Sequence, residues 1–206
     1  MESGIFNRMS ARVDEEEHSF EMHMPFLYKV CQQQNQPVPP IVPILIGSSS
    51  TKYEEQLASV LAPYFKSKEN AFVISTDFCH WGDRFDYMVY TQTPDCSDLK
   101  NLTRANLNPK VPIHQSIEFL DRLGMKTAST GSYKMFNQYL KDTDNTICGR
   151  RPLAALLRTV ELTKEQAGIP ADDEYGRLKW VGYAQSSRLT DPSRSSVSYA
   201  SGFAVA

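Results

Sequence analysis

Residues 71–82 read AFVISTDFCHWG, and the reading of this stretch decides the fold. The apolar, β-branched run AFVIST has the pattern of a buried strand. It ends abruptly in Asp77, Cys79, His80 and Trp81. An acid, a thiol and an imidazole therefore stand at the carboxyl end of a predicted strand, where open α/β sheets bind their ligands.

Upstream, PVPPIVPILIG (37–47) predicts a proline-bounded strand over about 41–46. TKYEEQLASVLAPYF (51–65) predicts a helix opened by Thr51 and Glu54 in a capping pattern. Strand, helix and strand alternate, as in an α/β layer. VDEEEHSFEMHMPFLYKVCQQQ (13–34) predicts an acidic entry and a helix, with Ser19 as cap and Pro25 acceptable only in the first turn. Downstream, residues 84–112 predict an irregular, polar excursion of lid type. IHQSIEFLDRLGM (113–125) and SYKMFNQYLKDT (132–143) predict amphipathic helices. CGRRPLAALLRTVELTKEQAG (148–168) predicts a longer one, with Pro152 near its start and Gly168 at its stop. LKWVGYAQSS (178–187) and SSVSYASGFAVA (195–206) predict an antiparallel pair joining the sheet.

The totals bound the function. A chain of 206 residues with 41% hydrophobic and 22% charged residues fits one globular domain. A net charge of −2 offers no basic field for nucleic acid. The apolar runs are too short to span a bilayer. MESGIFNRMS lacks the apolar centre of a signal peptide, so a cytoplasmic protein is expected. The four cysteines, at 31, 79, 96 and 148, form no CxxC pair, which argues against a zinc ribbon or thioredoxin motif.

Three stretches could carry chemistry. Asp77 three residues before His80 could orient the imidazole as an acid/base pair, or both could face a metal. The plain alternative is a surface turn in which Asp77 caps a local bend. Cys148 precedes a helix, whose N–H groups and macrodipole favour negative charge, and Arg150 and Arg151 would attract an anionic ligand. The plain alternative there is an inert cysteine beside a helix cap. EEEHSFEMHMP lacks the HExxH spacing of zinc proteases and reads as a solvated helix entry, from which Glu17 and His18 could line a pocket.

Taken together, EHSFEMHMPF (17–26), STDFCHWG (75–82), NTICGRRP (145–152) and YAQSS with SSVSYASG (183–187, 195–202) resemble the Memo family. The name stands for mediator of receptor-tyrosine-kinase-driven cell motility. The four motifs run in the family's order over nearly the whole chain. The resemblance implies a mixed sheet flanked by helices, similar to the class III extradiol dioxygenases, which are non-haem iron enzymes. It implies that Cys148 completes a metal site for iron or copper, and that His80 is the pocket histidine matching the dioxygenase acid/base, with Asp77 its acidic neighbour. It further implies a cytoplasmic, and also nuclear, signalling protein linked to motility and the cytoskeleton, whose pocket takes a phosphotyrosine peptide of a receptor-signalling partner. Trp81, Arg150 and Arg151 would suit that anionic aromatic ligand, through stacking and charge. The alternative is a metal-dependent oxidoreductase of dioxygenase type. The family also carries an N-terminal third whose histidines supply two more metal ligands. This sequence resembles the pattern from its middle onward, so residues 1–206 are expected to form one Memo-like domain truncated at the N-terminus. Metal binding is then expected to be weak or absent, and an uncovered apolar face is expected on the sheet.

Overall fold

The computed structural model describes residues 4–47 and 50–206, and over them the chain is a mixed α/β fold. Helices α1 (Ala11–Glu16), α2 (His18–Gln33) and α3 (Thr51–Phe65) come first. β1 (His80–Trp81), a 3-10 turn at Asp83–Phe85, β2 (Val89–Tyr90) and β3 (Lys100–Asn101) follow. Then come α4 (Ile113–Ser129), α5 (Tyr133–Thr143), α6 (Arg150–Ala167), β4 (Lys179–Gln185) and β5 (Ser196–Phe203). β1, β5 and β4 lie in that order in one antiparallel sheet, and β2 and β3 form a separate ribbon. The expected C-terminal pair is present, from Lys179 opposite Phe203 to Gln185 opposite Ser198.

Each helix has a local cause. Ser50 and Ser132 cap α3 and α5 by accepting from Tyr53 N and Met135 N, both at 3.3 Å. Ser50, one residue before the expected Thr51, thus takes the cap. α6 ends at Gly168, whose φ of +65° suits a residue without Cβ. α2 is capped by Glu17, not Ser19, and it runs straight through Pro25. Pro25 therefore lies beyond the first turn, at the loss of the bond its N–H would have made to Glu21.

Two of the expected strands are absent. Residues 41–46 and 71–76 adopt no regular secondary structure, and among the described residues no backbone hydrogen bond joins either to a neighbouring strand. A strand exists only through its ladder, and apolar pattern alone does not supply one. Pairing starts where Phe78 N donates to Ser198 O (2.8 Å) and Ser198 N to Cys79 O (3.0 Å). From there the residues alternate. Cys79 and Trp81 enter one core cluster with Tyr87, Ile113, Ile117 and Leu120. Phe78 enters the other with Phe136, Ile147, Leu153 and Leu157, and its ring meets Trp180 edge-on. α4 stands between them, with Leu123 against both clusters. The excursion at 84–112 is pinned rather than loose: Tyr87 and Tyr90 are buried and donate to Thr143 O (2.8 Å) and Val111 O (2.6 Å).

α3 packs on α6 through Leu57, Ala58 and Ala62. Arg158 of α6 ties that pair by an ion pair to Glu55 of α3 (2.9 Å), and within α6 it also pairs with Glu161 (3.4 Å) and Glu165 (3.1 Å). The segment before α3 is different. α2 buries no residue, and Met22, Phe26, Tyr28, Val30, Ile41, Val42 and Leu45 are all exposed.

This contrast sets an expectation for stability. Phe78→Ala should cost about 3–5 kcal/mol, as for a buried aromatic ring. Phe26→Gln, at a residue 70% exposed, should change stability by less than about 0.5 kcal/mol while lowering the binding of a hydrophobic dye. Urea unfolding and dye titration of the two variants measure both. Equal costs at the two positions would contradict the assignment of the core.

Candidate functional site

The site is made where two stretches of chain touch, the turn at 75–80 and the loop at 145–149. Gly149 allows the approach, because a Cβ there would lie 2.2 Å from Thr76 Cβ and 2.6 Å from Ser75 O. Its N–H donates to Thr76 Oγ1 (2.9 Å), and that hydroxyl donates to Asp77 O (2.8 Å). The N–H of Asp77 then donates to Cys148 Sγ at 3.0 Å. Thr146 closes the other end. Its Oγ1 accepts from His80 N and donates to His80 O, each at 2.8 Å. Backbone and hydroxyls thus hold the turn that bears Asp77 and His80 against the loop that bears Cys148.

The imidazole has a defined orientation. His80 Nδ1 lies 3.0 Å from Phe78 O, a carbonyl that can only accept, so Nδ1 carries the proton. Nε2 is left as the lone-pair nitrogen, 3.8 Å from Asp77 Oδ2. It can accept a proton or a ligand donor, and the carboxylate can stabilise the cation that follows. The Phe85 ring stands edge-on to the imidazole at 5.0 Å, with Arg84 over its face at 5.7 Å. Cys148 is exposed just ahead of α6, whose N-terminus has no side-chain cap. Of the N–H groups there, that of Gly149 goes to Thr76 Oγ1 and that of Arg150 to Ile147 O, and Pro152 has none, so what α6 offers an anion is mainly the positive end of its dipole.

The other expected residues divide. Arg150 is exposed in the first turn of α6, with Nη1 on Ile147 O (3.1 Å). Arg151 is committed elsewhere, in an ion pair with buried Glu54 at 3.0 Å. Trp81 corrects the stacking expectation. It is 0% exposed and its indole N–H donates to Val89 O (2.8 Å), because strand alternation puts it on the same inward face as Cys79. Cys79 is likewise a packing group, and burial pushes its thiol well up. Glu17 is spent capping Ser19 N (2.6 Å), and His18 is exposed at the start of α2. Among the described residues, no hydrogen bond or ion pair joins either to Asp77, His80 or Cys148.

The metal expectation meets a geometric limit. Among the described residues, no three His, Cys, Asp or Glu side chains stand close enough to hold an ion. These residues by themselves do not fit a closed iron or copper site, which generally needs three or more protein ligands.

Beneath the turn lies a residue that motif reading missed. Asp121 of α4 is fully buried. Its Oδ1 accepts from Cys79 N and Asn145 Nδ2, both at 3.2 Å. Its Oδ2 accepts from Tyr183 OH (2.9 Å) and from Ser198 Oγ. A signal was available, since Asp121 sits in the apolar stripe Ile117, Leu120, Gly124, Met125 of an amphipathic helix. Burial pushes its carboxyl up to about 6, against the four donors that favour the anion.

Comparison with known proteins covers nearly the whole chain. A family model described as Memo-like protein matches residues 1–203. Protein MEMO1 of Danio rerio is 38% identical over 200 residues, covering 97% of this chain and 60% of that protein. Protein MEMO1 of Homo sapiens is 36% identical over 201 residues, covering 97% and 60%. A MEMO1 family protein of Schizosaccharomyces pombe is 39% identical over 198 residues, covering 95% and 61%. The chain thus spans 60–61% of the length of these relatives.

The raised carboxyl of Asp121 makes stability depend on pH in a stated sense. Between its ordinary value of 3.8 and about 6, the unfolded chain releases this proton before the folded one does. Stability therefore falls as pH rises through that window, by roughly 3 kcal/mol for a shift of this size. Glu17, Asp95, Asp98 and Asp191 are held low and act oppositely, losing their contribution as pH drops below about 4. Asp121→Asn should flatten the fall between about pH 4.5 and 6.5. Urea midpoints across that range check it, and an unchanged slope in the variant would sink the assignment.

Proposed function

The chain belongs to the Memo family, and on that premise we propose that it is a cytoplasmic signalling protein of cell motility and the cytoskeleton, whose Asp77–His80–Cys148 pocket binds the phosphotyrosine of a receptor-signalling partner. The observation that carries this reading is exposed Cys148 directly ahead of α6, with Arg150 exposed in that helix's first turn and His80 Nε2 left as the lone-pair nitrogen of its ring. An N-terminus of this kind suits a phosphate, and an arginine adds charge-assisted hydrogen bonds. The aromatic neighbour is Phe85, in place of buried Trp81. Arg151 enters through its pair with Glu54, which fixes the first turn of α6 against α3.

The second reading is a metal-dependent oxidoreductase of dioxygenase type. Its support is the pairing of an exposed thiol with an open imidazole nitrogen, two donors that suit iron or copper. Further ligands would be needed to close such a site. The 206-residue chain should therefore bind copper(II) or iron(II) weakly in a calorimetric titration. Tight, stoichiometric binding abolished by Cys148→Ser would favour the second reading over the first.

The first reading is tested with one peptide in two forms. A phosphotyrosine peptide should bind the chain, its unphosphorylated form should not, and Arg150→Ala should weaken binding about 10- to 100-fold, as for loss of a charged hydrogen bond. Raising the salt should weaken it further. Equal affinity for the two forms of the peptide would refute phosphotyrosine recognition.

A further inference from the structure

We infer that Asp121 is the positioning residue of His80, acting across the single peptide plane between Phe78 and Cys79. The two ends of that plane have separate partners. Its N–H, from Cys79, donates to Asp121 Oδ1 at 3.2 Å. Its C=O, from Phe78, accepts from His80 Nδ1 at 3.0 Å. In a trans peptide these groups point in opposite directions, and the plane is stiff. Holding the N–H therefore aims the carbonyl. A carboxylate on the N–H also polarises the carbonyl as an acceptor, since hydrogen bonds in a chain strengthen one another. The sequence of contacts runs from buried carboxylate to peptide to imidazole, and it ends at Nε2, which faces Asp77 and the open side of the site.

The surroundings serve the same end. Ser198, on β5, gives its N–H to Cys79 O (3.0 Å) and its hydroxyl to Asp121 Oδ2. Asn145 links Asp121 to Tyr139 OH (2.7 Å) one residue before Thr146, which clasps the His80 backbone. Asp121 thus touches both the His80 turn and the loop that carries Cys148. Its carboxyl faces Cys79, Tyr139 and Tyr183 as titratable neighbours, and no Lys or Arg among the described residues pairs with it. Charge neutralisation does not explain its place. Hydrogen-bond geometry does.

That distinction predicts which substitution is tolerated. Asn at 121 can keep its carbonyl on the two fixed donors, Cys79 N and Asn145 Nδ2. Its amide then faces the hydroxyls of Tyr183 and Ser198, which can turn to accept. Ala removes every contact.

The inference deepens the reading of His80 as a ligand-facing group and rests on it. It is tested without any ligand, so its failure and a failure of peptide binding are separate outcomes. The measurement is the ¹⁵N spectrum of the His80 ring above its titration, which reports the nitrogen that carries the proton. The wild-type chain and Asp121→Asn should show the proton on Nδ1. Asp121→Ala should lose that signature and give the Nε2–H form or a mixture. Leu57→Ala, a buried change on α3, controls for destabilisation alone and should keep the Nδ1 proton. Asp121→Leu, which fills the space without an acceptor, repeats the test should the alanine variant not fold. A wild-type ring protonated on Nε2 overturns the inference without any variant. So does an Asp121→Ala or Asp121→Leu chain that folds and retains the Nδ1 proton.

Discussion

The carboxylate of Asp121, buried with no ion pair among the described residues, is the constraint on which the site depends. It collects donors from β4, β5, the 145–149 loop and the chain just ahead of β1. A buried anion is costly unless its lone pairs are filled, and here four donors fill them. The pieces that supply those donors are far apart in sequence, so satisfying one group fixes several segments at once. The segments bearing His80 and Cys148, 68 positions apart in the chain, are held together because they are bound to the same acceptor and to each other through Thr76 and Thr146.

The site is correspondingly a backbone construction. Asp77 reaches Cys148 through its main-chain N–H, and His80 is held by Thr146 at both its N–H and its C=O. Side chains are left free for a ligand where the main chain does the holding. That division suits recognition: an open imidazole nitrogen, an exposed thiol and an uncapped helix start, on a support that is buried and bonded. The uncovered apolar residues of α2 and of 41–45 lie in a part of the chain that buries no helix residue and does not carry this support.

Much of this was legible in the sequence, and the limits have physical causes. The four C-terminal elements α4, α5, α6 and the β4–β5 pair followed from periodicity, caps and β-branched content, which are local signals. The strands at 41–46 and 71–76 did not form, because an apolar run encodes burial while a ladder requires a neighbour. DFCH and TICG were legible as reactive stretches, and the turn bearing Asp77 and His80 lies against the loop bearing Cys148. Trp81 was misread as a stacking platform because motif membership was weighed above the two-residue alternation that places it with Cys79. The parts of Thr76, Thr146 and Asn145 are not legible in sequence, because they are played by hydrogen bonds across 73, 66 and 24 residues, for which single-sequence patterns have no register. Asp121 left a trace, a charge in an apolar stripe, that belongs with buried and functional carboxylates alike.

Comparison with the family adds identity to this arrangement, and the proposed binding of a ligand at exposed Cys148 is where the account is most open to test. The most direct measurement is the rate at which a thiol reagent alkylates Cys148, followed by peptide mass mapping, as free phosphotyrosine is added. The account predicts that alkylation slows progressively and half-saturates at the concentration at which phosphotyrosine displaces a bound phosphotyrosine peptide. A rate at Cys148 that stays constant while the peptide is bound and displaced would place the binding surface elsewhere on the molecule.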